Sequence, residues 1–208
     1  INICHDEYLH GLREICNANG WLLMLDEVQS GIGRTGQWFA FQHSGVKPDV
    51  MTLAKGLANG VPIGACLAAG PAKGVFKPGN HGSTFGGNPL ASAVGNAVLD
   101  VILADGFFDR VHQAASHMRQ QLAMIVERNK DVFEEVRGQG FLLGLKCRLP
   151  NGEVGDALRA QGMLSALAGE NVVRLLAPLI VEPAHIAEAT GMIEAACASL
   201  RAAARKAS

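Results

Sequence analysis

The sequence predicts an α/β architecture followed by a smaller α+β region. The continuous apolar run 21–25 has the length and composition of a strand covered on both faces, as in a parallel sheet, the stretch 50–53 repeats the pattern, and 63–69 after Pro62 offers a third strand. Stretches of helical periodicity or loop separate and follow these runs, the arrangement expected of α/β layers. The chain has 208 residues, 49% hydrophobic and 18% charged, so it can bury a sizeable core and is richer in interior than in surface. Part of the apolar excess is expected at an interface.

Each element has its own signal. Leu9, Leu12, Ile15 and Cys16 recur at helical spacing, and Gly20 sits where a left-handed cap ends a helix. The run 21–25 is closed by Asp26 and Glu27, and the run 50–53 is followed by Lys55 and Gly56. Residues 73–88 carry five glycines and few aliphatics, which predicts an extended functional loop. Asn88 can cap a helix opened by Pro89, with a stripe from Leu90 through Ile102 that Asp105-Gly106 stops. Val111, Ala115, Met118, Leu122 and Ile125 mark a second long helix. Beyond it, residues 132–147 read as two strands about Arg137-Gly138-Gln139-Gly140, and 156–161 as a short helix. Residues 163–168 and 172–176 read as a strand pair joined by Gly169-Glu170-Asn171. Ile186, Ala189, Ile193, Ala196 and Leu200 define a last amphipathic helix, and the alanine-rich end from Ala202 to Ser208 is expected to fray.

Charge and cysteine usage narrow the function. Eighteen basic against nineteen acidic side chains leave a net charge of -1, without the basic footprint that a nucleic-acid backbone requires. The longest aliphatic runs, 22–25 and 179–181, fall far short of the roughly 20 residues needed to cross a bilayer, so no membrane span is expected. Ile1 stands first, and Asp6 and Glu7 occupy positions where a signal peptide needs basic residues, which predicts that the sequence begins inside a longer polypeptide. Five cysteines, with no C-x-x-C pair and no histidine at ligand spacing, predict a reduced, metal-free, cytoplasmic chain.

Gly31-Ile32-Gly33-Arg34-Thr35-Gly36 fits the G-x-G-x-x-G pattern of dinucleotide sites. Such a site needs the glycines to open a helix and an acid about 20 residues on, whereas Asp49 comes too early. Lys55, at the end of an apolar strand with no acidic residue closer than Asp49, is expected to be desolvated, which favours the neutral amine that attacks a carbonyl. A surface lysine at a strand terminus is the plainer reading of position alone. Asp26 has the same ambiguity. If the two strands are parallel neighbours, their C-terminal edges bring a carboxylate and an amine into one crevice. Those are the two groups that pyridoxal phosphate (PLP) needs to act as an electron sink.

These residues carry a resemblance. Leu25-Asp26-Glu27-Val28-Gln29-Ser30-Gly31-Ile32-Gly33-Arg34-Thr35-Gly36, Lys47-Pro48-Asp49, Leu53-Ala54-Lys55-Gly56-Leu57, Gly60-Val61-Pro62-Ile63-Gly64 and His81-Gly82-Ser83-Thr84-Phe85-Gly86-Gly87-Asn88-Pro89 resemble the signature of class III PLP-dependent aminotransferases. Arg137-Gly138-Gln139-Gly140-Phe141-Leu142-Leu143-Gly144 and Asn171-Val172-Val173-Arg174-Leu175-Leu176-Ala177-Pro178 extend the likeness over nearly the whole chain. The text from Leu25 to Pro89 most resembles the acetylornithine branch, with the ornithine, succinylornithine and γ-aminobutyrate enzymes as near alternatives. A dinucleotide-dependent oxidoreductase and a non-catalytic interaction domain of the same fold are the remote ones.

The resemblance implies the C-terminal half of a fold type I transferase. Residues 1–105 would be the end of the large cofactor-binding domain, including the inter-domain helix 89–105, and 106–208 the small α+β domain. It implies Lys55 as the Schiff-base lysine and proton carrier, and Asp26 as partner of the pyridine nitrogen. Val28 would pack on the ring, and Gln29 would hydrogen-bond its phenolic oxygen. Ser83 and Thr84 would reach the cofactor phosphate of a neighbouring subunit, which implies a homodimer with shared sites. Arg174 would clamp a substrate carboxylate, although pairing with Glu170 is a structural alternative. The implied substrates are an amino acid and a 2-oxo acid, with no metal, nucleic acid or membrane.

Overall fold

The computed structural model describes residues 1–207. Cys4–Phe108 form one compact unit, and Ile1–Ile3 with the chain from Asp109 onward form another.

In the first unit, helix α1 (Asp6–Asn19) ends on Gly20 at φ 65°, the left-handed cap predicted for it. Its inner face places Cys16 against Leu23 and Val46, with Leu9, Leu12 and Leu25 packed around them. Strand β1 (Met24–Asp26) pairs in parallel with β2 (Val50–Leu53), and β2 pairs antiparallel with β3 (Ala65–Ala68). The short helix α2 (Phe41–Ser44) lies between β1 and β2. Burial on both faces holds for β2, where Val50, Met51 and Leu53 are buried. It fails for the flanking segments: Trp21 and Met24 are each 61% exposed, and three of the four β3 residues are exposed. Within this sheet only β2 is paired on both sides; Leu25 of β1 reaches the cluster under α1, whereas Met24 of β1 and Leu67 of β3 stay largely uncovered.

Residues 73–88 form the expected long loop, entered from a 3₁₀ turn at Gly70–Ala72. Helix α3 (Pro89–Leu103) follows, and Asn88 Oδ1 accepts the Ala91 N–H at 3.0 Å while Pro89 occupies a first-turn position whose missing N–H costs nothing.

The second unit packs helices α4 (Phe107–Arg128), α5 (Asn151–Ala160) and α6 (Pro183–Ala207) with a four-stranded antiparallel sheet of β4 (Phe133–Gln139), β5 (Leu142–Cys147), β6 (Ala166–Ala168) and β7 (Val172–Leu175). The sheet order is β4-β5-β7-β6. Leu143, Leu145, Val172 and Val173 from the sheet are fully buried, as are Val111 and Leu122 of α4 and Leu158 of α5. The β4–β5 reversal falls on Gly140-Phe141, later than the four residues expected, because Arg137, Gly138 and Gln139 still pair with β5. At Gly138, φ is 111° and a Cβ would lie 1.9 Å from the Leu142 carbonyl oxygen, so only glycine fits.

Three strands are shorter at their starts than expected, β1 from Met24, β3 from Ala65 and β6 from Ala166, and two helix boundaries moved. Helix α5 begins at Asn151 rather than 156, because its first turn is held by hydrogen bonds rather than apolar periodicity: Asn151 N–H donates to Asn171 Oδ1 at 2.7 Å and its Nδ2 donates to the Ala168 and Val172 carbonyls. Helix α6 runs through the alanine-rich stretch to Ala207 instead of fraying at Ala202, in keeping with alanine's helix propensity. The expectation for Ser208 lies outside the described residues.

Candidate active site at the edge of the parallel strand pair

Asp26 is the last residue of β1 and stands opposite Thr52 of the parallel neighbour β2. Lys55 lies two residues beyond the end of β2. The sheet therefore brings carboxylate and amine to one edge, where open α/β sheets bind ligands. The Asp26 side chain is fixed through one oxygen: Oδ1 accepts the Val28 N–H at 2.9 Å and the Thr52 hydroxyl at 3.1 Å. Among the described residues its second oxygen accepts no side-chain or backbone hydrogen bond.

Lys55 is exposed, as the plainer reading of a lysine at a strand terminus has it, and the expectation that its amine is desolvated is corrected. The apolar run that suggested burial ends at Leu53, and the chain then turns outward into a 3₁₀ turn at Lys55–Leu57. Lys55 itself sits at φ 44°, a left-handed conformation that costs a non-glycine residue about 1–2 kcal/mol. Leu57 N–H donates to Ala54 O at 2.9 Å and Asn59 N–H to Lys55 O at 3.0 Å, which locks the turn. Strain held this way at a candidate nucleophile points toward function.

Between the two strands, Glu27 organises the loop. It is buried at 3% exposure, and its carboxylate accepts the Ser30 hydroxyl at 2.6 Å and the N–H groups of Ala40 and Phe41 at 2.9 and 2.8 Å. The loop carrying half-buried Val28 and Gln29 is thus pinned at both ends. At Gly31 a Cβ would come within 2.8 Å of the Glu27 carbonyl oxygen and 3.1 Å of Leu53. These glycines serve a tight loop packed on β2. They open only the four-residue α2, so the dinucleotide reading fails.

Ser83 and Thr84 are exposed on the long loop, and Ser83 Oγ accepts the Gly86 N–H at 2.9 Å. Arg174 belongs to the other unit, on β7 between Gly144 of β5 and Ala166 of β6, two small neighbours that leave room for a long side chain. The Glu170 carboxylate is engaged by Arg137 at 2.7 Å and Asn2 at 3.2 Å, and Arg137 holds it below the usual carboxylate range. All five cysteines are free, and among the described residues no cluster of three or more potential ligands could hold a metal. Among the described residues no single helix is long and apolar enough to cross a membrane.

The family profile described as aminotransferase class-III matches residues 1–197. The chain belongs to the class III aminotransferases. It is 52% identical over 196 residues to an acetylornithine aminotransferase of Agrobacterium fabrum, covering 94% of this chain and 49% of that protein. A protein of the same name from Mesorhizobium japonicum is 54% identical over 192 residues, covering 92% and 48%. Among solved structures, an ornithine aminotransferase from Toxoplasma gondii superposes with a TM-score of 0.88 at 33% identity over 97% of this chain and 49% of its own. Acetylornithine aminotransferase from Elizabethkingia anophelis gives 0.85 at 33% over 95% and 53%. The chain spans about half the length of the curated relatives it matches. Its fold is accordingly that of a fold type I aminotransferase fragment, α/β with mixed and antiparallel sheets.

Sequence reasoning named Asp26 and Lys55 but passed over Glu27 and Thr52. The first was hidden as one of two acids at a strand end. The second is a polar interruption in the run 50–53, a signal that a hydroxyl there needs a partner.

Proposed function

We propose that this chain carries the ring-binding and amine-bearing half of a PLP-dependent aminotransferase active site. The observation that carries the reading is the parallel register of β1 and β2, which sets Asp26 and Lys55 on one edge in a chain of this family. The donor set fits the cofactor: a primary amine with no acidic partner among the described residues suits an aldehyde, and a carboxylate with one open oxygen suits a protonated pyridine nitrogen.

Bound PLP supplies an electron sink for the pair left behind when a substrate C–H bond breaks. Lys55 Nζ would hold the cofactor's aldehyde and, as the free amine, would carry the proton between two carbons. Asp26 keeps the ring nitrogen protonated, so its effect falls on the transition state more than on binding. Val28 would pack on the ring face and Gln29 would hydrogen-bond the phenolic oxygen. Ser83 and Thr84 would hold the cofactor phosphate of a neighbouring subunit in a homodimer, and Arg174 would take a substrate carboxylate through its bidentate fork. Residues 1–105 serve as the end of the large domain and 106–208 as the small domain.

For the whole protein the reading is transfer of the δ-amino group of N-acetylornithine to 2-oxoglutarate, a step of arginine biosynthesis in the cytoplasm. The names of the relatives support that donor, and the ornithine enzymes among the structural neighbours mark ornithine as its main competitor. Borohydride reduction of the intact protein with PLP, followed by peptide mapping, should place the adduct on Lys55. An adduct on Lys73 or Lys77 instead would overturn the assignment. Comparing turnover with N-acetylornithine, ornithine and γ-aminobutyrate decides the donor.

A further inference from the structure

We infer that Thr52 is a positioning residue for the cofactor-facing carboxylate, an inference that rests on the proposed role of Asp26. Three observations meet at this position. Thr52 stands directly opposite Asp26 in the parallel pair, so the two side chains project from the same face of the sheet. Its hydroxyl donates to Asp26 Oδ1 at 3.1 Å. Its carbonyl accepts the N–H of Glu27, the next residue after Asp26, at 3.0 Å. One residue of β2 therefore holds both the side chain of Asp26 and the backbone that leaves it.

The geometry divides the work between the two carboxylate oxygens. Oδ1 receives the Thr52 hydroxyl and the Val28 N–H, two donors approaching from separate segments. With those bonds made, rotation about the Asp26 side chain is restricted, and Oδ2 is the oxygen left for a cationic N–H. Without the hydroxyl, one backbone N–H from a residue two positions away remains, and that contact persists through a range of rotamers. An exposed aspartate then loses part of its preorganisation, and the ring nitrogen loses a fixed acceptor. Thr52 touches neither substrate nor ring in this account; it acts through Asp26.

The test compares Thr52→Val, which keeps the β-branched shape, with Thr52→Ser, which keeps the hydroxyl, in the intact protein. Two readouts are taken besides turnover: the dissociation constant for PLP, and the ¹⁵N resonance of ring-labelled PLP, which reports whether the pyridine nitrogen carries its proton. Thr52→Val is expected to weaken PLP binding about five- to tenfold, the worth of one hydrogen bond, and to reduce the protonated ¹⁵N signal. Thr52→Ser should restore both. If Thr52→Val lowers the unfolding midpoint but leaves affinity and ¹⁵N position unchanged, Thr52 only supports the sheet and the inference is overturned. Equal losses in the Val and Ser variants overturn it as well. Should Thr52→Val not fold, Thr52→Ala against Thr52→Ser makes the same comparison. Borohydride mapping of the unmutated protein separates the two levels: no adduct on Lys55 removes the functional reading and this inference together, whereas an adduct with an unresponsive ¹⁵N signal removes only this one.

Discussion

Replacing Glu27 tests how the candidate site is built. Its carboxylate is buried at 3% exposure and accepts three donors, two of them backbone N–H groups from the start of α2. In Glu27→Gln one carboxylate oxygen becomes an NH₂ group that must face at least one donor, whichever way the amide turns. One orphaned donor costs about 1–3 kcal/mol. In Glu27→Ala the Ser30 hydroxyl can rotate to another acceptor, but the Ala40 and Phe41 N–H groups cannot, and two orphans cost about 2–6 kcal/mol, with water access favouring the lower part. Against a typical domain stability of about 5–15 kcal/mol either loss is measurable. Both tryptophans, Trp21 and Trp38, lie in the unit Cys4–Phe108, and Trp38 packs on Phe108 at 5.4 Å between ring centroids. Urea titration followed by tryptophan fluorescence therefore reads this unit selectively. The midpoint should fall in the order wild type, Gln, Ala with little change in slope. If Glu27→Ala stays within about 0.5 kcal/mol of wild type, the three hydrogen bonds do not hold the loop and the account of Val28 and Gln29 as pinned residues falls with them.

Lys55 at φ 44° predicts that Lys55→Gly is more stable than Lys55→Ala by about 1 kcal/mol in the same titration, because glycine alone relieves the left-handed strain; the reverse order would contradict the turn geometry. Gly138→Ala should disrupt the β4–β5 hairpin, since the new methyl meets the Leu142 carbonyl oxygen at 1.9 Å; hydrogen exchange of β5 amides would show lost protection, and unchanged protection would refute the clash. Asp49 is held below the usual carboxylate range by the Leu23 N–H and then by the Arg13 guanidinium, against partial desolvation. A depressed folded pKa contributes stability that is present above the unfolded value of about 3.9 and is lost as pH falls through the lower folded value. Asp49→Asn should accordingly flatten the acid limb of the stability curve of this unit, and an unchanged limb would show that the pair contributes nothing.

How much of this was legible in the sequence depends on where each signal resides. Gly20, Asn88 and Pro89 act within a turn or two of their own position, and their caps form as read. The apolar stripe of α4 likewise needs only a periodicity and a core to meet, and its residues Val111, Leu122 and Ile125 are buried. The run 21–25 was misjudged because an apolar strand reports what it could bury, not what lies across from it: Leu23 finds Cys16 and Val46, while Trp21 and Met24 stay 61% exposed. The desolvated reading of Lys55 failed for the same reason, since the turn after Leu53 depends on a positive φ that no residue but glycine advertises.

The site itself was half legible, and the division is physical. Asp26 and Lys55 could be picked out because their chemistry is written in side-chain type and in their place at strand ends. Glu27 and Thr52 are equally specific in what they touch, yet their importance exists only once β1 and β2 are in register, because each acts on atoms far along the chain: Glu27 on Ala40 and Phe41, Thr52 on Asp26. A slip of one residue in the parallel pairing would turn Thr52 to the opposite face and leave Asp26 Oδ1 with the Val28 N–H alone. The register of two short strands therefore decides whether a carboxylate at a strand end is merely solvated or is aimed, and it is Thr52, a residue with no chemistry of its own to offer, that reports which of the two has been built.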